Sequence, residues 1–336
     1  MITRGDKIWI AENLIRGADP VEMGVVLVNT GKSPEAVTHA ITSATLDLYM
    51  IGALKGRDIF QRRLGKANWT LNLLASLRNT SVNAGKVEKL GLLTLDTDTF
   101  FEKYYFTNTP LLIDDVCTSW PAYKKWTPKY LSKTVGDVEV EIQSGRTSDP
   151  LYEEQRVNFI KNVKFSDFID SIKNADTNDV YLTANNTEVN RKALDPIWGD
   201  IGELPSFLKE GSDGFMFLGP KGTITPNHHD LTNNLLIQVR GSKKIYLCDS
   251  LQQPNMYNHN HVFSRVDLSA IDYDKYPLMK NVTVKEVILN AGQALFIPCG
   301  WWHQVKALDF SVSMTYTSFK ANNTYPGQEQ FNSGDM

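Results

Sequence analysis

Thr225-Pro226-Asn227-His228-His229-Asp230 leads into the apolar run Leu235-Leu236-Ile237-Gln238-Val239 and is answered far downstream by Gly300-Trp301-Trp302-His303. On an extended segment, residues i and i+2 share a face. His228 and Asp230 therefore point to one side and His229 to the other. Before His303 the chain has room to cross a sheet and return. Two histidines and one carboxylate around one ion leave coordination positions open, the ligand set of non-haem Fe(II) oxygenases. A zinc hydrolase with a bound water could use the same three residues, and a bare His-x-Asp also occurs in ordinary turns.

Gly241 breaks the apolar run, and Lys243-Lys244-Ile245-Tyr246-Leu247 reads as a returning strand. A lysine buried in such a strand is costly unless it meets an anion. Lys243 and Lys244 take opposite faces, so only one can point inward; alternatively both are solvated at a hairpin end. Upstream, Pro110-Leu111-Leu112-Ile113, Val138 to Ile142 and Asp179 to Ala184 read as strands, with helices over Thr97 to Tyr105 and Phe165 to Ile172. Gly145-Arg146-Thr147-Ser148-Asp149 and Asn185-Asn186-Thr187 read as loops able to border a cleft. Many short strands without βαβ alternation predict a mainly β (α+β) fold, a double-stranded β-helix or jelly-roll barrel.

The first 90 residues read differently. Asp19-Pro20-Val21-Glu22 is a helix start with cap, N1 proline and N3 acid, and Gly31 stops that helix. Ser33-Pro34-Glu35 opens a second helix, with Val37, Ile41, Ala44 and Leu48 at helical spacing. A third spans Arg57 to Leu77 with Leu64, Leu71, Leu74 and Leu77 as its apolar stripe, and Trp9, Ile10 and Leu14 suggest a short helix ahead of these. Ser81 to Gly91 reads as a linker. The expected organisation is a helical domain over 1–90, for dimerisation or substrate docking, and a catalytic domain over 91–336.

The 336 residues are 42% hydrophobic and 10% aromatic, enough for a sizeable core. A net charge of −3 and a pI near 6.1 argue against a general nucleic-acid binder. The basic cluster Arg57, Arg62, Arg63 and Lys66 then reads as a solvated helix face rather than a seat for an acidic partner or tRNA. No stretch is apolar enough for a membrane span, and the opening residues do not read as a signal peptide. Cys117, Cys248 and Cys299 read as reduced core thiols of a cytoplasmic protein.

Phe215 to Phe319 resembles the JmjC and cupin-like (Cupin_8) hydroxylases dependent on Fe(II) and 2-oxoglutarate, in style the asparaginyl hydroxylases among them. The matching elements are Gly222 to Asp230, Gln238 to Lys243, Pro298 to His303 and the alternating strand Ser311 to Tyr316. The resemblance implies that His228, Asp230 and His303 hold iron and that Lys243 takes the distal carboxylate of 2-oxoglutarate. It implies that Thr225 hydrogen-bonds the same end, that Asn234 lines the co-substrate pocket and that Tyr181 reaches it from a neighbouring strand; an ordinary core aromatic is the other reading of Tyr181. Trp301 or Trp302 would pack on the barrel and hold His303. Thr183 and Thr317 stand where the asparaginyl branch carries glutamine and asparagine, which points away from its substrate. The implied reaction is hydroxylation of an amino-acid side chain in a protein or peptide, with dioxygen consumed and succinate and CO2 released. A free amino acid or other small metabolite is the alternative substrate, and a non-catalytic cupin binding module the alternative role.

Overall fold

The structure, a computed structural model, describes residues 1–80, 85–183 and 187–326. Part of the expected linker at Ser81 to Gly91, residues Asn185 and Asn186, and the end of the expected strand at Ala184 lie outside them. The chain divides into two compact units, Met1–Leu73 and Leu74–Met336.

In the first unit α1 (Arg4–Arg16), α2 (Pro20–Asn29) and α3 (Pro34–Leu46) precede the long α4 (Leu48–Asn79), whose last residues belong to the second. The start of α2 is as read: the Asp19 carboxylate accepts from the Val21 and Glu22 amides. α1 carries a capping box between Thr3 and Asp6. Ile10, Leu14, Met23, Leu27, Val37 and Ile41 form the small core. Two readings are corrected. α3 ends at Leu46, because the Asp47 carboxylate accepts from the Met50 amide and starts a new helix, so Leu48 leaves the α3 face and is exposed. In α4 the stripe residues Leu64, Leu74 and Leu77 are exposed rather than buried.

The second unit continues with β1 (Glu88–Gly91), α5 (Thr97–Phe100), β2 (Leu111–Asp114), α6 (Pro121–Lys125), α7 (Pro128–Val135), β3 (Glu139–Ser144), β4 (Ile160–Lys164), α8 (Phe165–Ile172) and β5 (Val180–Tyr181). After α9 (Thr187–Ala193) and α10 (Asp195–Trp198) come β6 (Phe215–Gly219), β7 (Ile224–His229), β8 (Asn234–Arg240), β9 (Ser242–Cys248), β10 (Asn258–Asn260), β11 (Phe263–Ser264), β12 (Val284–Asn290), β13 (Ala294–Ile297), β14 (Trp302–Ala307) and β15 (Ser311–Tyr316).

Two six-stranded sheets result, ordered β1-β2-β13-β8-β15-β6 and β10-β11-β7-β14-β9-β12, with a smaller β4-β3-β5 sheet beside them. From β7 onward the chain passes repeatedly between the two large sheets, which makes a jelly roll. Leu236, Leu295 and Ile297 of the first sheet meet Ile245, Leu247, Val287, Leu289 and Val305 of the second in one core. The first sheet's other face is covered by helices. α8 shows why: Phe165, Phe168, Ile169 and Ile172 fall at helical spacing and all are buried. Each such side chain contributes roughly 1.5–3 kcal/mol on burial. Among the described residues no helix is long and apolar enough to cross a membrane.

Candidate active site

β7 and β14 are hydrogen-bonded neighbours, and His228 lies directly opposite His303. Asp230 follows one residue beyond β7. The ligand atoms of His228, Asp230 and His303 all lie within 4.8 Å of one another. His228 Nε2 is 3.8 Å from one Asp230 oxygen and His303 Nε2 is 3.7 Å from the other. These gaps are too long for hydrogen bonds and suit donors that share an ion. Each imidazole is fixed from behind: His228 Nδ1 donates to the Pro226 carbonyl at 2.8 Å and His303 Nδ1 to the Trp301 carbonyl at 2.9 Å. That contact selects the tautomer whose Nε2 lone pair faces the centre. Burial first, then the adjoining His228, pushes the His303 imidazole down to about 4, with the Asp230 carboxylate working in the other direction. Burial works against the Asp230 carboxylate, but the two histidines and the Asn234 amide outweigh it and hold it below its ordinary value.

His229 turns outward, as the alternation requires, and packs edge-on against Trp302 with ring centroids 4.7 Å apart. The Trp301 indole donates to the Asn108 carbonyl at 2.9 Å, so it is the Trp301 backbone that steadies His303 while its ring anchors the strand. Cys299 is outside the ligand cluster.

Thr225 precedes His228 by three residues and would face outward on a regular strand. The register shows how it turns in. His303 pairs with His228, but Val305 pairs with Thr225, so β7 carries an extra residue at Pro226-Asn227. This β-bulge reverses the alternation. Thr225 now shares the inner face with His228, and its hydroxyl meets that of Tyr181 on β5. Burial is the main cause that raises the Tyr181 phenol, so it is a neutral donor.

The two lysines separate as their parity demands. Lys244 pairs with Glu286 at 2.9 Å on the outside. Lys243 shares the inner face with Ile245 and Leu247, is 3% exposed, and has no carboxylate in salt-bridge range among the described residues. Its ammonium lies 5.5 Å from the Phe217 ring, and burial pushes it down to about 7. An unpaired inner ammonium is a seat for an anion. Asn234 has a second use that the sequence did not reveal: its Nδ2 donates to Asp230 at 3.1 Å. Arg146, read only as part of a loop, is fully buried.

The cupin-like domain family matches residues 97–320, two thirds of the chain. The chain belongs to this family, which includes the JmjC type. It is 30% identical over 274 residues to "Lysine-specific demethylase JMJ30" of Arabidopsis thaliana, covering 77% of this chain and 61% of that one. It is 33% identical over 230 residues to "Jumonji C domain-containing protein 5" of Drosophila melanogaster, covering 64% and 56%. With "tRNA wybutosine-synthesizing protein 5" of Gallus gallus it shares 27% over 210 residues, covering 58% and 65%. The chain thus spans about half to two thirds of the length of these relatives. Cupin-like enzymes of the JmjC type use Fe(II), 2-oxoglutarate and dioxygen. The preset His-Asp-His cluster and the unpaired Lys243 fit that set.

Proposed function

We propose that the protein is an Fe(II)/2-oxoglutarate-dependent dioxygenase that hydroxylates an amino-acid side chain of a protein or peptide. The observation that carries this reading is the pairing of the backbone-fixed triad with an unpaired inner lysine. A zinc hydrolase has no use for such a lysine, and a silent binding module has no need of a complete triad. His228, Asp230 and His303 would hold the metal; Lys243, Thr225 and Tyr181 would receive the far carboxylate of 2-oxoglutarate, with Asn234 bordering the pocket and steadying Asp230. When bound, the metal and co-substrate supply the oxidising chemistry, yielding succinate and CO2. The chain's own work is to orient the co-substrate, to hold both imidazole Nε2 atoms toward the metal and to exclude water from the Lys243 pocket.

A cavity of about 600 Å³ runs along β7 at the His228 end, lined by Tyr152, Glu153, Glu154, Pro226, Phe263 and Asp267 among others. The ring of Phe263, one of its lining residues, lies 6.0 Å from that of His228. The lysine in the name of the Arabidopsis thaliana relative supports N-methyl-lysine demethylation as a second reading. Hydroxylation of an N-methyl group releases formaldehyde, so the first step is shared. A free amino acid or small metabolite remains the alternative substrate. The chain's net charge of −3 speaks against nucleic acid despite the tRNA-named relative. The buried Cys117 and Cys248, unpaired in the structure, fit a reducing, cytoplasmic setting.

The test is succinate release with Fe(II), 2-oxoglutarate and ascorbate, followed by mass spectrometry of peptides from cell extract. A gain of one oxygen atom on a side chain supports hydroxylation. Formaldehyde with loss of a methyl group supports demethylation, and no succinate under any condition refutes the enzyme reading.

A further inference from the structure

Arg146 is a charged side chain with no exposed surface, set where β3 ends in a short turn. Its guanidinium lies between two rings, 4.4 Å from that of Tyr152 and 5.0 Å from that of Tyr181. Nη2 donates to the Ile224 carbonyl at 2.8 Å, and the Tyr152 hydroxyl donates to the same oxygen at 3.0 Å. Glu153 approaches Nη2 at 3.4 Å. Nε and Nη1 are buried with no hydrogen-bond partner among the described residues.

Taking a guanidinium out of water costs several kcal/mol even after relaxation, and each unmade hydrogen bond adds to that. A residue needed only to fill this space would be apolar. What Arg146 does touch is specific: the Tyr181 ring on one side, and on the other the peptide immediately before Thr225. The same turn is tied to the approach of β5, because Thr147 donates from its amide and its hydroxyl to the Asp179 carboxylate at 3.1 and 2.6 Å. Asn178 in turn accepts from the Ile224 amide at 2.7 Å. One side chain therefore joins β3, β5 and β7 where the Tyr181 and Thr225 hydroxyls meet. Phe217 packs 6.0 Å from Tyr181 and 5.5 Å from the Lys243 ammonium, so cations flank this wall on both sides.

We infer that Arg146 is a positioning residue for the co-substrate: it holds the Tyr181 ring and the Ile224 carbonyl so that the Tyr181–Thr225 hydroxyl pair is set to receive the distal carboxylate of a dicarboxylic 2-oxo acid. This rests on the pocket assignment made above. It separates from a general structural role in one respect. A 2-oxo acid without a distal carboxylate, such as 2-oxobutyrate, should not sense the residue.

The experiment measures binding of 2-oxoglutarate and of 2-oxobutyrate to the full chain loaded with Mn(II), by calorimetry, for wild type, Arg146→Met and Arg146→Lys. Tyr181→Phe and Lys243→Met serve as controls on the pocket. Arg146→Met is expected to weaken 2-oxoglutarate about 10-fold or more, the loss of one charge-steadied hydrogen bond, while metal affinity and 2-oxobutyrate binding hold. Arg146→Lys is expected to fall between, and in turnover KM should rise with kcat retained. Unchanged 2-oxoglutarate affinity, or an equal loss for both acids, overturns the inference. If Arg146→Met does not fold, the lysine variant decides: full discrimination between the two acids overturns the idea and reduced discrimination supports it. If the two control variants also leave discrimination intact, the pocket assignment itself has failed, not the role of Arg146 within it.

Discussion

Adjacent histidines with opposite fates give the sharpest test at the scale of single residues. His228→Ala or Asp230→Ala should abolish stoichiometric Fe(II) binding and all 2-oxoglutarate turnover, whereas His229→Ala should keep the metal, because its ring lies on Trp302 and not in the cluster. Metal content of the three purified variants decides this, and iron lost only from the His229 variant would overturn the assignment. Lys243 carries a second prediction with two opposite signs. Its ammonium is pushed from 10.5 down to about 7 by burial. Between those values the unfolded chain holds a proton that the folded one lacks, so the stability present above pH 10.5 is lost as pH falls towards 7. Lys243→Met should therefore stabilise the ligand-free protein, by on the order of a few kcal/mol below neutral pH and progressively less in alkali. The same change should weaken 2-oxoglutarate about 10- to 150-fold, the worth of a charge-assisted bond. Urea midpoints at neutral and alkaline pH, together with KM, check both; a destabilised variant with unaltered KM would refute the anion seat. The shared side of His228 and Asp230 was legible in the sequence because i, i+2 parity is a property of any strand, whereas the place of His303 opposite His228 is set by the pairing of β7 with β14. The choice between Lys243 and Lys244 was not legible from parity alone, since that says they differ but not which faces the core.

Elements decide what parity cannot. The bulge at Pro226-Asn227 turns Thr225 inward, and nothing in the one-dimensional pattern marks it; it is defined only by the pairing of β7 with β14. Strand existence was readable from alternating apolar residues, while pairing partners were not, because the strands that meet are distant in sequence. The corner between β8 and β9 was legible as a break at Gly241, but not as a pairing, because the two strands lie in different sheets and no hairpin forms there. The structure gives the reason. Gly241 has φ of +71°, and a Cβ there would lie 2.2 Å from the Phe310 carbonyl oxygen. Gly211 has φ of +66° with open space around it. Gly211→Ala should therefore cost only the left-handed backbone term, about 1–2 kcal/mol. Gly241→Ala should cost clearly more, since backbone must move and with it the strand that carries Lys243. Denaturant midpoints of the two variants make the comparison, and an equal or smaller loss at Gly241 would show that the corner yields easily.

At the scale of the molecule, the family match over residues 97–320 leaves the first unit, Met1–Leu73, without an assigned task. Its helices were legible from caps and prolines, but propensity reports that a helix forms, not what covers it. Only six residues make its buried core, while Phe60, Leu64 and Trp69 of α4 stay exposed. A core of that size supplies little stability of its own. We therefore expect these helices to serve a second subunit or a docked substrate rather than the metal site. A chain beginning at Leu74 keeps the buried Ala75 and the Arg78–Asp249 ion pair at 2.8 Å, so it should still bind Fe(II) and 2-oxoglutarate. It should release succinate without coupled substrate hydroxylation, or change its oligomeric state by light scattering. A chain beginning at Gly85 loses Arg78 and strands the nearly buried Asp249 carboxylate, a cost of roughly 3–5 kcal/mol when one partner of a buried pair is removed, and less here because Arg78 is partly solvated. It should melt below the longer form. Full coupled turnover and unchanged mass in the Leu74 form would remove the docking role, and unfolding of that form would show that the first unit belongs to the enzyme's own core.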